Sequence, residues 1–141
     1  MQTGAQSFAE RGLLMDFWGA GMGADPEVAR IVEPLTPTKE DLIILKRRYS
    51  AFHRTALLDE LNSRHRDQLI ACGVYAHIGC LATTLEAFMC DIQAFMVADA
   101  VADFSAAQHQ MALDCVGQHC ARVVSTLDVV AAIESSRRKI A

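Results

Sequence analysis

The spacing of apolar positions changes along this chain. Ser7-Phe-Ala-Glu10 has capping-box spacing and predicts a short helix to about Asp16. Gly19, Gly21, Gly23 and Pro26 follow and end it. A second short helix is expected over 27–32, stopped by Pro34 and Pro37. From residue 40, apolar runs alternate with helical stripes. Leu42-Ile-Ile-Leu45 is continuous and apolar, and predicts a buried strand. Leu57, Leu58 and Leu61 share one stripe and predict a helix over 55–64. A second buried strand is expected over 68–74. Ile78, Leu81, Ala82, Leu85, Phe88 and Met89 recur at helical spacing, so 77–90 is expected to be a helix. A third strand is expected over 95–100. Ser105-Ala-Ala-Gln108 caps a helix to about Val116, and a fourth strand follows over 123–125. The last helix is expected over 126–135, with Arg137, Arg138 and Lys139 at its end, where cations suit the helix dipole.

Strands alternating with helices through short connections predict an α/β fold with a mainly parallel sheet, covered on both faces in three α/β/α layers. Sheets of this kind bind ligands at the carboxyl ends of their strands. Residues 46–52, 73–80, 99–105 and 125–128 are therefore the segments where chemistry is expected.

Composition narrows the class. The 141 residues are 52% hydrophobic and 21% charged, enough apolar material for one folded domain. A net charge of −4 argues against a nucleic-acid partner held by a basic face. The longest apolar runs are too short to cross a bilayer, and residues 1–20 lack a basic region followed by an apolar stretch. Neither a membrane partner nor a secretory leader is expected. Five cysteines, an odd number with no CxxC pair, fit a reducing cytoplasm better than a disulfide framework.

Four groups could carry chemistry. Lys46-Arg-Arg-Tyr-Ser-Ala-Phe-His-Arg54 holds four Lys or Arg and no acid, and reads as an anion pocket or as a solvated basic loop. Gly73-Val-Tyr-Ala-His-Ile-Gly-Cys80 joins a strand to a helix. Its small residues would let an anion approach the N–H groups of the helix start. Cys80 is either a nucleophile with a depressed pKa or a buried core thiol, and His77 either a base or a capping residue. Cys115 and His119 lie four apart on one helix, beside Cys120, without an obvious second cluster to complete a metal site. Asp99 and Asp103 flank the end of the third strand, as turn-fixing groups or as paired acid and base.

Taken together these loops resemble the isochorismatase family. The resemblance rests on Asp16-Phe-Trp-Gly19, Lys46-Arg-Arg-Tyr-Ser-Ala-Phe52, Gly73-Val-Tyr-Ala-His-Ile-Gly-Cys80, Asp91-Ile-Gln93 and Val97-Ala-Asp-Ala-Val-Ala-Asp-Phe-Ser105, and runs from Gln2 to about Val130. It implies a Rossmann-type strand order and a hydrolase that cleaves the vinyl ether of isochorismate, or of its amino analogue, releasing pyruvate. Siderophore or phenazine precursor synthesis is the implied setting. It implies no metal and no cofactor, a small-molecule substrate, and a homodimer. Lys46 matches the family's active-site lysine, and Gln2, Arg11, Trp18, Tyr75 and Gly79 match substrate-pocket positions. Gly79 stands where the family's cysteine hydrolases carry their nucleophile, with Cys80 one residue beyond.

Two departures stand out. Arg47 replaces a tryptophan common in the family. More seriously, the family's general acid is an aspartate in a His-Asp-Met-Gln type motif on the first strand, and that motif does not occur here. Gln2 already corresponds to the end of the family's second strand. The resemblance therefore implies a single partial domain over 1–141, lacking the first two strands and any carrier domain. Such a chain would be inactive for want of its proton donor, or would serve as a non-catalytic or partner-dependent module. It also implies that 68–74 exposes an apolar edge.

Overall fold

A three-stranded parallel sheet organises the second of two compact units, residues 48–141, while the first spans 1–47. The computed structural model describes residues 11–19 and 30–140. In the second unit, α2 (Leu57–Ser63) precedes β1 (Gln68–Val74), a π-helical turn (Ala76–Cys80) and α3 (Leu81–Met89). Then come β2 (Gln93–Ala102), α4 (Ala106–His119), β3 (Ala121–Val124) and α5 (Thr126–Ile140). In the first unit lie α1 (Leu14–Trp18) and a 3-10 turn (Glu33–Leu35).

The strands lie in the order β1-β2-β3, with helical connections between parallel neighbours. This is the order the resemblance leaves for the family's last three strands, and the α/β class is as the alternation required. Alternation along β2 turns Ala94 and Met96 to one face. Met96 packs there with Ala76, Cys80, Val101, Ala112 and Val116. Ala94 packs with Phe52, Ala87 and Ile92, and the leucine stripe of α2 closes over them. Val97, on the opposite face, is buried too, so the central strand is covered on both sides. Among the described residues β1 is an edge strand, and it is not the buried strand expected over 68–74: only Ala71 on it is buried, while Ile70 and Val74 are exposed.

Local chemistry sets the helix starts. Ser105 Oγ accepts the Gln108 N–H at 3.2 Å and caps α4. Ser125 and Asp128 cap α5 reciprocally, through Asp128 N–H to Ser125 Oγ at 3.2 Å and Ser125 N–H to Asp128 Oδ2 at 3.0 Å.

Several expectations change. Leu42–Leu45 forms no strand, and Ile43 and Leu45 are 71% and 66% exposed. An apolar run becomes a strand only with a neighbour to take its backbone groups, and no strand occurs among the described residues of the first unit. Of the helix expected over 27–32, residues 27–29 lie outside the described residues, and 30–32 are not helical. Val32 is extended (ψ 144°) and Pro34 opens a 3-10 turn instead. Ser7 and Glu10 also lie outside the described residues. The helix that is seen runs past Asp16 to Trp18, where Gly19 ends it at φ +54°. The helix over 77–90 begins as a π-helical turn, and the last helix continues past 135.

Met96 is fully buried between the sheet and α4. Met96→Ala is expected to cost about 2–5 kcal/mol by leaving a cavity, read as a lower midpoint in urea unfolding with an unchanged slope.

Candidate active site

Because β1 and β2 are parallel, their carboxyl ends lie side by side, and the chain leaving β1 meets the chain leaving β2. Tyr75 and the π-helical turn follow β1, while Asp103 and Phe104 follow β2. The Asp103 side chain is completely buried and gathers three N–H groups. It accepts the His77 backbone N–H at 2.7 Å, the Phe104 N–H at 2.9 Å and the His77 Nδ1–H at 2.7 Å. An ionised carboxylate only accepts, so the ring nitrogen facing it is the donor. The Phe104 ring stacks on the Tyr75 ring, with centroids 4.0 Å apart and planes 22° apart.

The turn itself hangs from one carbonyl. Tyr75 O accepts the N–H groups of Ile78 (3.2 Å), Gly79 (2.9 Å) and Cys80 (3.2 Å). With His77 N–H held by Asp103, the donors that the sequence offered to a bound anion are already committed. Gly79 likewise uses its N–H within the turn. Its carbonyl accepts the Thr83 hydroxyl at 2.7 Å, and Thr83 Oγ1 in turn accepts the Ala51 N–H at 3.0 Å. One threonine thus ties Ala51, within the basic motif, to the turn. Its spacing to Ala51, 32 residues, left no signal in the sequence.

The strand-end carboxylates serve as acceptors. A register slip between Ala71 and Gly73 leaves extra residues in β2, and Gly73 takes φ +108° opposite them. Asp99 lies in that stretch and accepts the Thr126 N–H (2.8 Å) and hydroxyl (3.0 Å) at the start of α5. The Thr126 N–H holds the Asp99 carboxyl below its ordinary value. Burial pushes Asp103 up, but the His77 and Phe104 N–H groups and the His77 ring outweigh it and leave the carboxyl lowered. The Ser125 hydroxyl and N–H lower Asp128 likewise. The paired acid–base reading of Asp99 and Asp103 thus gives way to two ionised structural carboxylates.

Cys80 lies in the core cluster with Met96 and Val116, as the core-thiol alternative had it. His77 is no capping residue, since both its backbone and ring nitrogens go to Asp103. His119 turns Nδ1 to the Cys115 carbonyl at 2.8 Å, and burial pushes the Cys120 thiol up. Among the described residues no three His, Cys, Asp or Glu side chains converge. Tyr75 and Gly79, expected in one pocket, meet at the turn. Arg11, Trp18 and Lys46 belong to the first unit. There Arg11 Nε donates to Gly19 O at 3.0 Å across the end of α1. Gln2 lies outside the described residues. A separate groove of about 610 Å³ sits at the amino ends of β2 and β3, lined by Phe88, Met89, Asp91, His119 and Arg122 among others. No helix among the described residues is long and apolar enough to cross a membrane.

The isochorismatase domain matches residues 3–128. The chain belongs to the isochorismatase family. It is 50% identical over 129 residues to the phenazine biosynthesis protein PhzD1 of Pseudomonas aeruginosa, which covers 92% of this chain and 62% of that protein. It is 53% identical over 125 residues to an isochorismatase of Bacillus subtilis, covering 89% of this chain and 40% of that one. Enterobactin synthase component B of Escherichia coli is 49% identical over 131 residues, 93% of this chain and 46% of its own. This member of the isochorismatase family thus spans 40–62% of the length of these relatives. Among solved structures, a cysteine hydrolase from Pseudomonas syringae superposes with a TM-score of 0.82 at 27% identity, over 92% of this chain and 67% of that one.

Three outcomes are expected. Thr83→Val leaves the buried end of the Ala51 N–H unpaired and lowers stability by about 1–3 kcal/mol in urea unfolding. Iodoacetamide labels exposed Cys72 before buried Cys80, read by peptide mass spectrometry. Folded-state pKa values below the ordinary 3.8 mean that Asp99, Asp103 and Asp128 add stability above the unfolded value and lose it as pH falls through the folded ones. Unfolding free energy should therefore hold down to about pH 5 and fall steeply below, with a shallower fall in Asp103→Asn.

Proposed function

We propose that this chain binds isochorismate, or its amino analogue, as part of an isochorismatase-type hydrolase that makes a siderophore or phenazine precursor. What carries the reading is the identity of about half over some nine-tenths of the chain to relatives bearing the names isochorismatase, PhzD1 and enterobactin synthase component B. The reaction protonates the methylene carbon of the vinyl ether. Water then adds to the oxocarbenium-like centre, and the hemiketal collapses to pyruvate and 2,3-dihydro-2,3-dihydroxybenzoate. The family resemblance makes Lys46 the active-site lysine and Gln2, Arg11, Trp18, Tyr75 and Gly79 substrate-binding positions. Gly79 leaves space at the turn, so no covalent intermediate forms there.

Carbon protonation needs a proton donor. Asp99 and Asp103 are held ionised by their N–H partners and do not carry the proton that carbon protonation needs. General acid catalysis is worth about 10²–10⁴-fold, so turnover that relied on Asp99 or Asp103 for the proton falls by that factor while binding survives.

The test pairs calorimetry with coupled detection of pyruvate. The purified chain should bind isochorismate and release pyruvate about 10²–10⁴-fold more slowly than the Bacillus subtilis relative. Lys46→Ala should weaken binding about 10–100-fold, as expected for loss of a charged hydrogen bond. Pyruvate at the relative's rate would overturn the expected loss of turnover. Absence of binding would overturn the substrate reading.

A further inference from the structure

Tyr75 is held at two points. Its carbonyl is fixed by the three N–H groups of the turn, and its ring lies flat against Phe104. Both supports lead to Asp103. His77, directly before the turn's first donor Ile78, is bound to Asp103 through backbone and ring. Phe104 follows Asp103 directly, and its N–H is oriented by the same carboxylate. We propose that Asp103 is a positioning residue for the substrate site, setting the Tyr75 ring and the Gly79 turn through Phe104 and His77. The inference rests on the reading above, in which Tyr75 and Gly79 line the substrate pocket.

The chemistry of the carboxylate explains why no near neighbour replaces it. Two oxygens accept three N–H groups, and the carboxylate that gathers them has a fully buried side chain, while the His77 donors are part-buried and the Phe104 N–H lies at the surface. An asparagine offers one acceptor oxygen, and its amide nitrogen would face an N–H whichever way it turned. One donor then loses its carboxylate partner and faces another donor instead, and the turn must move to relieve it. The shift propagates to Tyr75 because the turn's N–H groups are what grip the Tyr75 carbonyl. A carboxylate acting only as fold support would lower stability and leave the folded protein's affinity and ring geometry alone.

The chain has two tyrosines, Tyr49 and Tyr75, so ring-labelled tyrosine gives two sets of signals. In the wild type the Tyr75 set should sit upfield, shielded by the Phe104 ring, and Phe104→Leu should return it toward the unstacked position. Asp103→Asn, folded by circular dichroism, should move the Tyr75 signals in the same direction and weaken isochorismate binding by at least about tenfold. Phe104 is 54% exposed, so Phe104→Leu tests the ring support if Asp103→Asn does not fold, and it too should weaken binding. A folded Asp103→Asn with unmoved Tyr75 signals overturns the proposal. Moved signals with unchanged affinity overturn it as well, leaving Asp103 a structural role only. If the wild-type chain binds no isochorismate, the substrate reading fails, and the ring signals alone decide whether Asp103 positions Tyr75.

Discussion

The parallel pairing of Gln68–Val74 with Gln93–Ala102 fixes two carboxyl ends on one side of the sheet. Antiparallel pairing would have sent Tyr75 and Asp103 to opposite ends. With both strands ending together, one buried aspartate can reach the start of the neighbouring turn, 26 residues back along the chain. The turn then needs few contacts of its own. Tyr75 O collects three N–H groups, Thr83 braces Gly79 from the helix side, and the apolar underside of the turn, Ala76 and Cys80, packs into the core with Met96.

That arrangement assigns the acidic side chains to architecture. Asp103 closes the site, Asp99 and Asp128 start α5, and each is stabilised in its charged form. A hydrolase that must deliver a proton to carbon needs an acid held in the opposite condition, protonated at working pH. The same division explains the cysteine. Cys80 stands one residue past Gly79, and that single step along the turn takes it from the open side into the core. The neighbouring fold of a cysteine hydrolase therefore shares the scaffold without implying that Cys80 attacks anything.

Much of the second unit could be read locally. The run Leu69 to Val74 has the length and apolar content of a strand, though only Ala71 on it is buried, and Ser105 three residues before Gln108 marks a cap that the structure uses. Leu57, Leu58 and Leu61 declared their face by spacing alone. What failed depended on partners distant in sequence. Leu42–Leu45 had the composition of a strand, but no strand occurs among the described residues of its unit. The π-helical turn was invisible because it depends on Asp103 and on one carbonyl taking three donors. Asp103 looked like a turn former from its immediate neighbours, and its grip on His77 has no local signature. The family motifs located Tyr75 and Gly79 at one turn, while the roles of Asp103 and Thr83 emerged only from the pairing of the strands.

Amide-resolved titration of the chain with isochorismate is the most direct measurement. If substrate binds where the two strands end, the largest shifts fall on Tyr75 through Gly79 and on Asp103 and Phe104. Shifts confined to Phe88, Asp91 and Arg122, at the groove on the amino ends of the strands, would contradict that placement.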